Sequence, residues 1–311
     1  MSLLAILISL LLKKMLPALH GLRNLAWTGD YQRWIQTRLA DHEKWHGIPS
    51  VLIIVLLPVI GVAIIQYWLN DLLVFFSFVF SIVVLTYCLG PKDRHQLAHQ
   101  YLEAEESEDA DGAQTTLETI FSDIAPEAIP QDKAARARLL RDEVLIQTHE
   151  QLLAILFWFV ILGPMGAVLY RLAVQLQQQA TGETGAETDV ETNIGTKDAE
   201  FHAAVTRLHE LLAWIPSHLA ALSYAVMGSF THAMHAWQNA PLEETDTDDI
   251  TPASHRLLVR IGLASLQFDN HPPQDATQHN DAIRETLGLC GRSLVAWVTI
   301  LALMTLAGWA S

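Results

Sequence analysis

The stretch that decides the fold is IPSVLIIVLLPVIGVAIIQYWLNDLLVFFSFVFSIVVLTYCL, residues 48–89. It holds two apolar runs, Ile48 to Leu69 and Leu72 to Leu89, separated only by Asn70 and Asp71. Neither run contains Lys, Arg, Asp or Glu. A bilayer core about 30 Å thick is crossed by roughly 20 apolar residues in a helix. Two such runs around a polar pair read as a helical hairpin that crosses a membrane twice. The fold class that follows is all-α: a polytopic helical membrane protein.

Composition agrees with this. Of the 311 residues, 51% are hydrophobic and 17% charged, against about 25% charged in soluble domains. The formal net charge is −15. That speaks against nucleic acid as a partner, because a phosphate backbone demands a basic patch. Cys88 and Cys290 are the only cysteines and no CxxC occurs, so neither a zinc site nor a disulfide framework is expected. Membrane lipids are the partners that composition implies.

Residues 1–47 precede the hairpin. Leu3 to Leu12 is apolar, but Lys13 and Lys14 follow it. A secretory signal has its positive charge first, so this segment reads as a short membrane-dipping helix or signal anchor. Residues 13–47 are basic and amphipathic. Trp27, Tyr31 and Trp34 fall at i, i+4, i+7, a stripe suited either to the headgroup zone or to packing on other helices. The hairpin occupies 48–89. Its tip carries no basic residue, whereas Arg38, Lys44, Lys92 and Arg94 flank it. The positive-inside rule puts those flanks in the cytoplasm and the Asn70–Asp71 tip outside.

Residues 90–150 read as a cytoplasmic helical insertion. Glu103, Glu105, Glu106, Glu108, Asp109 and Asp111 cluster there, and the sequence turns basic at Lys133, Arg136, Arg138 and Arg141. The acidic run reads as a solvated face. Residues 151–230 hold an apolar run, Leu152 to Leu169, broken by Gly163, Pro164 and Gly166; a polar stretch at 177–200 that reads as a flexible loop; and a second apolar helix at 211–228. Residues 231–292 form a second acidic insertion. Residues 293–311 close the chain with a C-terminal transmembrane helix. His232 and His235 have metal-binding spacing, but no carboxylate or thiol stands in register with them. No metal site is predicted.

The densest chemical signal lies between Arg141 and Arg171. Glu143, Gln147 and Glu150 are spaced i, i+4, i+7, which puts three polar groups on one helical face. That face leads into the break at Gly163, Pro164 and Gly166, and Tyr170 and Arg171 end the run. Polar groups at the mouth of a membrane segment often mark a site. A half-helix at a Gly-Pro break presents N–H groups to an anion, and an arginine beside it can fork onto phosphate or carboxylate. The bland alternative has Glu143 and Glu150 solvated and Arg171 reaching for the headgroups. No GxSxG, Walker A, GxGxxG or HExxH motif occurs.

Two blocks, FWFVILGPMGAVLYRL (Phe157 to Leu172) and LLAWIPSHLAALSYAVMGSF (Leu211 to Phe230), resemble the AmpE family of bacterial inner-membrane proteins tied to β-lactamase regulation. The likeness also takes in HQYLEAEESEDADGAQTTLETI, His99 to Ile120. That family is in turn similar to the membrane-bound cobalamin-biosynthesis amide synthases of the CobD/CbiB type, which use ATP and a divalent metal. Their Phe-Trp falls on Phe157 and Trp158, and their glycine break and Tyr-Arg on Gly163, Gly166, Ala167, Tyr170 and Arg171. Their Glu-Asn-x-x-Asp becomes Ile146, Gln147 and Glu150. Their Asp-Asp pair becomes His209 and Glu210, a later Asn becomes Ala213, and an Arg becomes His218.

A phosphate-handling metal site needs several oxygen ligands and cationic neighbours, so the resemblance implies a kept scaffold and lost ligation chemistry. The resemblance points to a regulatory or signalling protein of the bacterial inner membrane, without ligase activity or cofactor. It would act beside the cytosolic anhydro-muropeptide amidase pathway that links peptidoglycan recycling to β-lactamase induction. The alternative is an enzyme using Mg and ATP, with Glu150 and Glu210 on the metal and Arg171 as anion clamp.

Overall fold

The computed structural model describes residues 2–15, 31, 48–72, 74–90, 94–122, 129–185, 196–239, 252–268, 273 and 275–307. Among them all regular structure is helical. The elements are α1 (Ser2–Met15), α2 (Ile48–Leu72), α3 (Val74–Cys88), α4 (Arg94–Glu106), α5 (Ala110–Ile120) and α6 (Lys133–Thr148). A single π turn (His149–Leu153) joins α6 to α7 (Ala154–Leu162). Then come α8 (Pro164–Gly185), α9 (Thr196–Met227), α10 (Phe230–Gln238), α11 (Ala253–Ser265) and α12 (Ala276–Leu306).

Three runs among the described residues are long and apolar enough to cross a membrane: Ile48–Asp71, Lys133–Leu162 and Thr277–Thr305. They differ in what covers them. In the most apolar 18 residues of each, the first and third are 28% buried within the protein, whereas the second is 72% buried. Exposed apolar surface on that scale is stable only in an apolar solvent. The outer helices therefore meet lipid, and the middle run is enclosed by protein.

The chain divides into two compact units. The first comprises 1–92, 154–212 and 300–311. In it α2 turns the stripe Val51, Ile54, Val55 and Val59 inward, against Leu176 and Ala180 of α8 and Phe201, Ala204 and Val205 of α9. The opposite stripe, Leu52, Leu56, Leu57, Ile60 and Ile64, is exposed. Spacing of three and four residues is what splits one uniformly apolar helix into a packed face and a lipid face. At the tip end, Gln66 Nε2 donates to Ser77 Oγ at 2.7 Å and ties the arms of the hairpin together. Ser9 of α1 donates to the Ile82 carbonyl of α3 at 3.3 Å. Tyr31 packs against the α2–α8–α9 cluster; Trp27 and Trp34 of its predicted stripe lie outside the described residues.

The second unit comprises 93–153 and 213–299. Here α4 and α5 pair through Tyr101, Leu102, Ala113, Leu117 and Ile120, all buried. Asp109 and Asp132 cap α5 and α6, accepting from the N–H groups of Gly112 and Ala135 at 3.0 Å. Each satisfies a donor that the first turn of a helix leaves open. α11 packs on α6 where Gly262 faces the Leu145 side chain, and the Ser229 N–H donates to the Ser265 carbonyl at 2.7 Å.

Two expectations need correction. The stretch 177–200, read from its composition as a flexible loop, is helical through Gly185 and again from Thr196. Gln177 to Ala180 continue α8 because Gln and Ala are strong helix formers and because Leu176, Gln177 and Ala180 are buried. The C-terminal helix starts at Ala276, well before residue 293.

Candidate functional site

The polar face predicted on α6 is assembled within the second unit. Glu143 forms an ion pair with Arg94, the first residue of α4. Gln147 hydrogen-bonds to Glu143 and accepts from Gln151 Nε2 at 2.6 Å. Glu150 Oε1 lies 2.8 Å from His255 Nε2, at the start of α11. Their side chains are 4% and 15% exposed. His95 Nε2 meets Thr148 Oγ1 at 2.8 Å. Two helices distant in sequence thus supply the partners of Glu143 and Glu150, whereas Gln147 is met by its own neighbours Glu143 and Gln151.

The π turn is the local device that builds this face. One extra residue per turn rotates Glu150 and Gln151 relative to a regular helix and upsets the carbonyl ladder around it. The neighbouring carbonyls find side-chain donors. Tyr224 Oη donates to the Leu145 carbonyl at 3.1 Å. Thr148 Oγ1 donates to the Val144 carbonyl at 2.6 Å, and Cys290 Sγ lies 4.0 Å from that same oxygen. A buried carbonyl left without a donor would cost about 1–3 kcal/mol. Such turns recur at functional sites.

In the first unit the break falls at Gly163. Its φ is +68°, its N–H closes α7 on the Phe159 carbonyl at 2.8 Å, and its carbonyl accepts the Gly166 N–H at 3.0 Å. Pro164 opens α8 at the position where a missing N–H costs nothing. Gly166 packs against the Trp158 carbonyl so closely that a Cβ has no room. Trp158 Nε1 donates to the Leu212 carbonyl of α9 at 3.1 Å. Tyr170 is fully buried, with its ring centroid 6.3 Å from that of His209. Arg171 is also buried, and its guanidinium lies against Gly90 just past the end of α3. Carbonyls at a helix C-terminus attract a cation there. Gly90 has φ +77°, and a Cβ on it would sit 3.2 Å from Arg171 Nη2. Glu210 is half-buried on α9.

The predicted residues therefore fall into two groups. Glu143, Gln147 and Glu150 belong to the second unit; Gly163, Pro164, Gly166, Tyr170, Arg171 and Glu210 belong to the first. Sequence reasoning missed Arg94, His95 and His255 as partners. Arg94 carries a weak signal, being the last cation before a cation-free run that reaches Asp132. His255 carries none. A Mg²⁺ ion takes oxygen ligands in strict octahedral geometry. In the second unit the Glu143 and Glu150 carboxylates are held by a guanidinium and an imidazole, which that ion would have to displace. His232 and His235 pair instead with Ser229 and Asn239.

The features above define a class: a helical membrane protein with a helix broken at Gly-Pro and a charge-compensated polar cluster beside a π turn. The chain belongs to the AmpE family, whose model, "Regulatory signalling modulator protein AmpE", matches residues 3–310. Among curated proteins it is similar to the cobalamin biosynthesis protein CobD of Stutzerimonas stutzeri, 28% identical over 179 residues. That match covers 56% of this chain and 54% of that protein. It is also similar to CobD of Chromobacterium violaceum, 34% identical over 107 residues, 34% of this chain and 30% of that protein. The matches thus span about half and about a third of those relatives. No solved structure matches the chain.

Proposed function

We propose that the protein is a multi-pass regulator of the bacterial inner membrane that couples peptidoglycan recycling to β-lactamase induction without ligating anything. It acts beside the cytosolic anhydro-muropeptide amidase pathway. The observation that carries this reading is the compensation of Glu143 by Arg94 and of Glu150 by His255. Carboxylates already engaged by a guanidinium and an imidazole suit a structural role within the helix bundle. The family description, a regulatory signalling modulator, supports the same reading.

The test is a chromosomal deletion complemented with wild type, Glu143→Gln or Glu150→Gln. The expected result is altered β-lactamase induction in the deletion, restored by wild type and not by the variants, at equal membrane levels. Unchanged induction and unchanged muropeptide pools in the deletion would remove the regulatory reading.

A second reading, phosphate-dependent amide formation with Mg and ATP, is favoured by the similarity to the CobD proteins. Calorimetry of the purified protein with Mg-ATP separates the two. Saturable binding accompanied by Mg-dependent ATP turnover supports the enzyme, and the absence of turnover supports the regulator.

A further inference from the structure

Helix α6 carries four cations: Lys133, Arg136, Arg138 and Arg141. Two are engaged by the protein. Lys133 Nζ bonds Glu105 at 2.8 Å. Arg136 Nε donates to the Pro130 carbonyl at 2.7 Å, and its Nη2 to Gln131 at 3.2 Å. Arg141 is different. It is 4% exposed, and its Nε and Nη1 atoms are buried with no hydrogen-bond partner among the described residues. Those two atoms carry three N–H donors. The ring of Phe268, just beyond α11, covers the guanidinium with its centroid 4.9 Å from Cζ.

A cation–π contact stabilises the charge but accepts none of the in-plane hydrogens. Arg138, one turn earlier, is exposed and adds a second positive charge to the field at Arg141. Asp142 is the neighbouring carboxylate and lies in that field. It forms no ion pair with Arg141 among the described residues, and its own Oδ1 is buried without a hydrogen bond.

The register of α6 against α11 separates this place from the Glu150 cluster. Glu150 meets His255, Leu145 meets Gly262, and Arg141 meets Phe268. The helices run antiparallel, so Arg141 lies nine residues, or ~13 Å at 1.5 Å per residue, from Glu150 along the axis. We propose that Arg141, with Arg138 beside it and Phe268 as its lid, is the core of an anion-binding site for a phosphoryl group. A guanidinium presents planar donors that match phosphate oxygens. The phosphate comes either from an anionic lipid headgroup or from a soluble phosphate ester.

Detergent-purified full-length protein is titrated with inorganic phosphate by calorimetry. In parallel, binding is compared in nanodiscs of phosphatidylglycerol and of phosphatidylcholine by thermal stability. A soluble ligand predicts saturable phosphate binding, weakened at least tenfold in Arg141→Gln and several-fold in Arg138→Gln, with Arg136→Gln unchanged. A headgroup ligand predicts a stability gain in phosphatidylglycerol alone, lost in the same two variants. Arg141→Lys keeps the charge but not the planar donors, and it weakens either effect if it folds as wild type. Wild type that binds no phosphate and is indifferent to lipid charge overturns the proposal, as does binding that is equal in wild type and Arg141→Gln.

Discussion

Glu150 and His255 stand 105 residues apart in the chain, yet Oε1 of one and Nε2 of the other meet at 2.8 Å within a single helical unit. A hydrogen bond to a charged group contributes about 1.5–3 kcal/mol, and its loss exposes the remaining partner to the full cost of burial. His255→Leu is therefore expected to destabilise the protein by about 2–3 kcal/mol. Glu150→Gln, which keeps an acceptor oxygen, loses less. The double replacement Glu150→Leu with His255→Leu costs less than the sum of the two single changes, because it leaves no stranded charge. Thermal unfolding in detergent, followed by circular dichroism, measures wild type, His255→Leu, Glu150→Gln, Glu150→Leu and the double variant. Strict additivity would mean that the pair is not coupled.

The break at 163–166 makes two glycines necessary for opposite reasons. Gly163 has open space around its missing Cβ but a φ of +68°; Gly166 sits inside a helix but faces the Trp158 carbonyl. Placing an L-residue in the left-handed region costs roughly 1–2 kcal/mol, and asparagine tolerates it best. Forcing a side chain into a packed contact costs about 1–3 kcal/mol. Gly163→Asn is therefore expected to be milder than Gly163→Ala, whereas at Gly166 the larger asparagine is worse than alanine. A reversed order at either position, read from detergent unfolding midpoints, would contradict this account.

These two places also mark what the sequence revealed and what it hid. The Gly163–Pro164 break is legible because glycine and proline act through their own backbone torsions. The paired helices of the hairpin are legible as two apolar runs either side of Asn70 and Asp71, although α2 continues through that pair to Leu72. The spacing of Glu143, Gln147 and Glu150 gave the shared face. Their partners were harder to read: Arg94, 49 residues from Glu143, carries only a weak signal, and no local pattern encodes the contact of His255 with Glu150, 105 residues away. The stretch after Gln177 misled because its polar composition masked a strong helix propensity, and burial of one face of α8 decided the outcome.

Tyr101 gives a pH-dependent signature outside the membrane runs. Burial pushes its hydroxyl up to about 12, and the neighbouring Glu105, which accepts its hydrogen bond at 3.3 Å, pushes the same way. The unfolded chain ionises tyrosine near 10. A raised folded value means that the stabilising contribution is complete below pH ~10 and is lost as pH rises toward ~12. Tyr101→Phe is expected to flatten the fall in stability across that window and to remove a component with a midpoint near 12 from the 295 nm phenolate titration. An unchanged titration would place the component on another tyrosine.

The tip of the hairpin gives the test of topology. Asp71 is exposed at the end of α2, and Glu118 is exposed on α5. Cys88 and Cys290 are both buried, so the native thiols contribute a low background to surface labelling. Basic residues flank the hairpin and none lies at its tip, so the positive-inside rule predicts cytoplasmic flanks. A membrane-impermeant maleimide is expected to label Asp71→Cys in intact spheroplasts and to label Glu118→Cys only after permeabilisation. The Gln66–Ser77 hydrogen bond holds the two arms together close to that tip. Labelling of Glu118→Cys in intact spheroplasts, with Asp71→Cys protected, would invert the hairpin. It would also move the acidic α4–α5 pair, and with it the Arg94–Glu143 ion pair, to the periplasmic side.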